Sequence, residues 1–231
     1  MYNILHKVYH SVRSYANRLC EGIMDIIWYI FDMIGTIAFA ISGALVGVAR
    51  RMDIFGMAVL ALATAIGGGI VRDVLLGYFP PNSLRNIVYV TVVISVTIIV
   101  FIMYNSRYRK HAMGPRSRAS YLLADAVGLA SFTVTGASAG FKLYPELPIF
   151  IVLLGTITAV GGGIIRDMLA RRIPSVLKED VYALPSVIGG IVYYLMVISN
   201  WVGEAVYGAF TVVLVIRLLA IKYNWSLPKV R

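Results

Sequence analysis

Cys20 is the only cysteine in the chain, which excludes an intramolecular disulfide and any cysteine-built metal site. Histidine is scarce too: His6, His10 and His111 lie in polar flanks without ligand spacing. Only 14% of the residues are charged, and eleven carboxylates face 21 basic side chains. A soluble domain typically carries about 25% charged residues. No apolar stretch spells a Ser-His-Asp or Cys-His constellation, a carboxylate dyad or a metal-ligand set, so neither an enzyme nor a resident cofactor or metal is expected. The net charge of +10 is read as loop charge facing anionic lipid, and no nucleic-acid partner is expected.

What remains is hydrophobic: 59% of residues are apolar and the mean hydropathy is +0.81. The charges fall in short clusters between apolar runs of about 20 residues, the length that crosses a bilayer as a helix. Seven helices are expected, at 26–48, 54–76, 86–104, 120–140, 148–169, 181–200 and 203–222. The first run is too long and too late for a cleaved signal peptide and is read as a span. Asp53 and Ser120 suit N-caps, and Pro148 suits a first turn. One face of this arrangement collects Lys7, Arg13, Arg18, Arg85 and Lys142. The other collects Arg50, Arg51, Arg107, Arg109, Lys110, Arg116, Arg118, Arg171, Arg172, Lys178, Lys222, Lys229 and Arg231. The positive-inside rule then predicts a cell-membrane protein with its N-terminus outside and its C-terminus in the cytoplasm. Arg217, in the last helix, is expected to snorkel to the cytoplasmic face.

The chain repeats itself. TAIGGGIVRDVLLG (64–77) and TAVGGGIIRDMLAR (158–171) agree at nine of fourteen positions. Upstream, DMIGTIAFAISGALVG (32–47) aligns with DAVGLASFTVTGASAG (125–140) at an offset of 93, against 94 at the glycines. Three helices fall in each copy, an odd number, so the second copy enters the membrane upside down. The expected fold is therefore all-α, with seven transmembrane helices arranged as two inverted-topology three-helix repeats plus a seventh helix. Its segments are an N-terminal extension (1–23), the first repeat (24–104), a basic cytoplasmic loop (105–119), the second repeat (120–200) and the seventh helix with its tail (201–231). The extension reads as an interfacial helix or a flexible tail.

The triple glycines, Gly67, Gly68, Gly69 and Gly161, Gly162, Gly163, each cost a helix about 1 kcal/mol relative to alanine. Two uses compete: a break that exposes carbonyls to a water-filled path, or close helix packing. The doubling favours the path. Leucine at Gly68 or Gly162 is then expected to fill it while expression survives. Thr64, Thr158, Ser42, Thr135 and Ser138 bring hydroxyls to the same helices, as path lining or as bonds to their own backbone. Arg72, Asp73, Arg166 and Asp167 are intramembrane ionisable residues, read as gate contacts or structural ion pairs. Asp32 and Asp125, opening the first and fourth helices, are read as cation-attracting pore mouths or as ordinary N-terminal acids.

The doubled GGGxxRD segments with their paired SGA and TGA segments resemble the prokaryotic TRIC (trimeric intracellular cation) channels over residues 24–222. The resemblance implies a homotrimer with a pore in each protomer, passing potassium and, less selectively, sodium. It also implies that the glycine-bearing helices 54–76 and 148–169 line that pore. Anionic lipid is expected at the basic segment 107–118. A potassium-permeable channel and a secondary transporter for a small zwitterion such as glycine both suit inverted repeats; the shortage of buried acids for a coupling ion favours the channel. A non-transporting scaffold leaves the doubled glycines unexplained.

Overall fold

The structure is a computed structural model that describes residues 2–107, 115–178 and 181–225. All regular structure among these residues is helical: α1 (Tyr2–Ala49), α2 (Ile54–Leu75), the short α3 (Asn82–Arg85), α4 (Ile87–Arg107), α5 (Pro115–Leu143), α6 (Pro148–Leu169), the short α7 (Ser175–Lys178), α8 (Leu184–Ile198) and α9 (Val202–Tyr223). Six of them are long and apolar enough to cross a membrane. A helix of 22 residues such as α2 or α6 spans about 33 Å, against an apolar bilayer core of about 30 Å. The outward faces of α4 and α9 carry Ile98, Ile99, Ile102 and Val215 in the open, which suits lipid as solvent.

The element boundaries follow local chemistry. Asp53 caps α2, accepting the Gly56 N–H at 2.7 Å, and Pro148 occupies the first turn of α6. Ser120 is not a cap, because α5 extends back to Pro115, whose missing N–H costs nothing in a first turn. The basic loop thereby shrinks to residues 108–114, which lie outside the described residues along with the lipid contact expected of Arg109 and Lys110. Helix α1 runs unbroken from Tyr2, so the N-terminal extension and the first expected span share one helix. The sixth expected span is the shortest: Pro185 fixes its start, Asn200 in the left-handed conformation ends it, and α8 has 15 residues.

Four helices, α1, α2, α5 and α6, pack together at the centre. Helix α4 lies against α1 and α2, while α8 lies against α5 and α6 and α9 covers α5 and α8. The two central long helices are the most enclosed: 72% of the apolar window of α1 and 67% of that of α5 are buried, against 22% for α4.

The α1/α5 contact is built from a glycine and a phenylalanine used twice. Phe39 of α1 lies on Gly128 of α5, and Phe132 of α5 lies on Gly35 of α1. The two rings meet edge to face, with centroids 5.2 Å apart. A Cβ on Gly128 would fall 2.1 Å from Phe39 Cδ1. Gly128→Ala should therefore destabilise the bundle by about 1–3 kcal/mol, the usual cost of overpacking. Gly22→Ala, with no atom near its would-be Cβ, should leave thermal unfolding of the detergent-purified protein unchanged or slightly raised.

Candidate functional site

Helices α2 and α6 cross backbone to backbone at the triple glycines. A Cβ on Gly68 would lie 2.1 Å from the Thr158 carbonyl oxygen, and one on Gly162 would lie 2.2 Å from that of Thr64. Gly67 packs under Ile165, and Gly163 faces the Tyr182 hydroxyl. Gly69 and Gly161 have more room: the nearest atoms to their would-be Cβ positions are 3.7 and 3.4 Å away. Neither helix breaks, since both keep their helical course through the glycines. The expected break is thus replaced by close approach, because side-chain-free faces let the two backbones touch, and that contact offsets the low helix propensity of glycine. Leucine at Gly68 or Gly162 has no room, so the expectation that such variants would fold and merely fill a path is withdrawn.

The hydroxyls are committed. Thr64 Oγ1 donates to the Leu60 carbonyl and Thr158 Oγ1 to the Leu154 carbonyl, each at 2.6 Å. The same two hydroxyls sit against Gly43 of α1 and Gly136 of α5. Thr135 Oγ1 reaches only as far as the Phe132 carbonyl at 3.5 Å, while its own carbonyl accepts from Trp28 Nε1 at 3.1 Å. Ser138, farther along α5, is half-buried. Ser42 has a different task, described next.

One helical turn beyond each central glycine stands a buried arginine. In the first cage, Arg72 Nε donates to Asp73 Oδ1 at 2.9 Å and Nη1 to Asp32 Oδ1 at 3.1 Å. The guanidinium stacks 5.0 Å from the Trp28 ring centroid. Tyr89 donates its hydroxyl to the other oxygen of Asp32 at 2.6 Å, and the other oxygen of Asp73 accepts the Asn82 N–H at 2.7 Å, at the start of α3. In the second cage, Arg166 Nε and Nη2 both donate to Asp167, at 3.0 and 3.2 Å. Its Nη1 donates to Asp125 Oδ1 at 2.5 Å and to Ser42 Oγ at 2.6 Å. The Tyr121 ring lies 5.1 Å away, and Asp167 Oδ2 accepts from both the N–H and the hydroxyl of Ser175, at the start of α7. Arg72 and Arg166 are 2% and 0% exposed. Each cage thus encloses two carboxylates and one guanidinium. Asp32 and Asp125 face these arginines from within α1 and α5; neither stands at an open mouth or at a helix N-terminus.

Trp28, Tyr121, Tyr89 and Tyr182 are absent from the sequence reading, yet their signal was present. An aromatic residue stands four positions before each aspartate, Trp28 before Asp32 and Tyr121 before Asp125, which puts ring and carboxylate on one helix face. The pair Val88-Tyr89 recurs as Val181-Tyr182 at the same offset of 93. Here the two halves part. Tyr89 bonds Asp32, whereas the Tyr182 hydroxyl, although buried, has no hydrogen-bond partner among the described residues. Arg217 lies 4.6 Å from the Tyr182 ring centroid and donates to the Val181 carbonyl at 2.9 Å. At 3% exposure Arg217 does not snorkel; the free carbonyl of the turn before α8 holds it inside. Tyr89→Phe should cost about 1–3 kcal/mol by stripping a donor from a buried carboxylate. Tyr182→Phe should be neutral or stabilising, and comparative thermal unfolding of the two variants checks the difference.

A family model described as "Glycine transporter" matches residues 29–105 and 122–197. The chain is 37% identical over 206 residues to the UPF0126 inner membrane protein YadS of Escherichia coli strain K12, covering 87% of this chain and 94% of that one. Among solved structures, it is similar to a prokaryotic TRIC channel crystallised in 0.5 M KCl, with a TM-score of 0.80, 35% identity and coverage of 87% and 99%. A second structure, described under conductance through TRIC cation channels, aligns with a TM-score of 0.75 and 37% identity over 87% of this chain and 96% of its own. An all-helical membrane fold is what these proteins share, and the chain belongs to the prokaryotic TRIC channel family.

Proposed function

We propose that the protein is a potassium-permeable channel for monovalent cations, with sodium passing less selectively and one pathway inside each protomer of a homotrimer. The observation that carries this reading is the glycine-lined, backbone-to-backbone crossing of α2 and α6 between two buried arginine cages. Along the crossing, Thr64 lies by Gly162 and Gly68 by Thr158, so residue order runs in opposite directions in the two helices. That order supports an inverted repeat with α8 as its short sixth span and α9 as the seventh. The count of basic residues supports an outside N-terminus and a cytoplasmic C-terminus.

On this reading the crossing is the closed gate. Backbone-to-backbone contact leaves no room for a hydrated ion between α2 and α6. Ile165 over Gly67 is the one α6 side chain seated on these α2 glycines and the rest of the contact is backbone on backbone, so parting the helices forfeits mainly weak dispersion contacts. The cages fasten the ends of α2 and α6, and the Ser42 bond to Arg166 ties one half to the other. Opening separates the helices and exposes the Thr64 and Thr158 carbonyls, which can take the place of water around a cation. Glycine transport is the second reading, favoured by the description of the matching family model.

Recording purified protein in planar bilayers under a potassium gradient separates the two. Discrete steps that reverse near the potassium potential are expected. A silent bilayer with glycine-dependent uptake into liposomes would replace the channel by the transporter. Within the channel reading, Gly68→Ala should hold α2 and α6 apart and raise open probability several-fold. Gly161→Ala, whose Cβ would meet Gly68 Cα at 3.4 Å, should change it far less. Equal open probabilities in both variants and the wild type, with intact oligomers by size-exclusion chromatography, would overturn the gate assignment.

A further inference from the structure

Two turns far apart in sequence, each carrying two arginines, touch. Arg50 and Arg51 follow α1; Arg171 and Arg172 follow α6. Arg50 Nη2 donates to the Arg171 carbonyl at 3.2 Å, so the two turns touch. No carboxylate among the described residues pairs with any of the four guanidiniums. Asp53, the nearest acid in sequence, is engaged as the α2 cap. Loop charge that merely fixes orientation in the membrane needs no such convergence; it acts from any position on the correct side.

The backbone adds a second observation. Arg171 sits in the left-handed region at φ 51°. The equivalent position in the first repeat, at the offset of 94, is Gly77 at φ 77°. Glycine adopts this conformation at no steric cost, whereas arginine is disfavoured there. The second half keeps a guanidinium where the local geometry asks for glycine. The next residue, Arg172, lies 5.9 Å from the centroid of the Tyr121 ring that Arg166 also stacks on. First-half Tyr78, aligned with Arg172, carries no charge.

We infer that Arg50, Arg51, Arg171 and Arg172 form a binding site for the phosphodiester headgroup of an anionic phospholipid. Guanidiniums match phosphate oxygens two bonds at a time and are weakly hydrated, so they suit a headgroup at the edge of an apolar bundle. A phosphate there supplies the counter-charge that the described chain lacks. None of its four residues belongs to the segment 107–118, and it holds whether the protein is a channel or a transporter.

The test uses the full chain in detergent micelles doped with phosphatidylglycerol or phosphatidylcholine, followed by thermal unfolding. Phosphatidylglycerol should raise the unfolding temperature over phosphatidylcholine. In the double variant R50Q/R171G that rise should shrink to less than half. Arg171→Gly relieves the left-handed strain, so the variant keeps its fold, and its unfolding temperature in phosphatidylcholine reports this directly. A control with Arg109→Gln and Lys110→Gln should retain the full rise. An undiminished rise in R50Q/R171G would overturn the site. Equal stabilisation by millimolar inorganic phosphate, with nothing added by phosphatidylglycerol, would overturn the headgroup as its ligand.

Discussion

A guanidinium carried into an apolar bundle must bring its counter-charge with it, and most of this structure is arranged around that requirement, met twice. An unpaired buried ion costs several kcal/mol, more than one helix contact can offset. Arg72 and Arg166 therefore dictate where Asp32, Asp73, Asp125 and Asp167 stand. Those carboxylates lie on α1, α2, α5 and α6, so satisfying the arginines aligns all four central helices. Asp73 Oδ2 and Asp167 Oδ2 also accept the first N–H groups of α3 and α7, and each long helix is joined to the turn that follows it.

Between the cages the chain does the opposite and removes side chains. Glycine faces at Gly35, Gly43, Gly68 and their counterparts Gly128, Gly136 and Gly162 let helices approach until a ring, a hydroxyl or a carbonyl fills the space. Strong, directional contacts stand at the ends of α2 and α6, and weak contacts stand at their crossing.

Much of the fold was legible because the sequence is written twice. The recurrence of Asp32/Asp125, Gly68/Gly162 and Arg72/Arg166 at nearly constant offset identified the residues that later prove to meet. Their geometry was less legible. Three glycines in a row are equally good for breaking a helix and for pressing it against another, and only the neighbouring helix decides between the two. The Asp32 and Asp125 roles were misjudged for a related reason: α1 and α5 extend upstream past the polar flanks that suggested a helix start, so neither aspartate stands near an end. The aromatic partners were overlooked because Trp and Tyr are common in membrane spans. Their four-residue spacing to aspartate gains meaning only once the arginine between them is known to be buried.

The reciprocity at the α1/α5 contact has a consequence of its own. Phe39 against Gly128 and Phe132 against Gly35 are one contact made in both directions, as are Gly68 against Thr158 and Gly162 against Thr64. Surfaces that answer each other in this way are self-complementary, like the isologous interface of a two-fold dimer. A single half of this chain would present to a second copy of itself the same ridge and the same hollow. The peptide linking the halves thus joins two surfaces already suited to meet, and the unequal bonding of Tyr89 and Tyr182 marks a place where the halves differ.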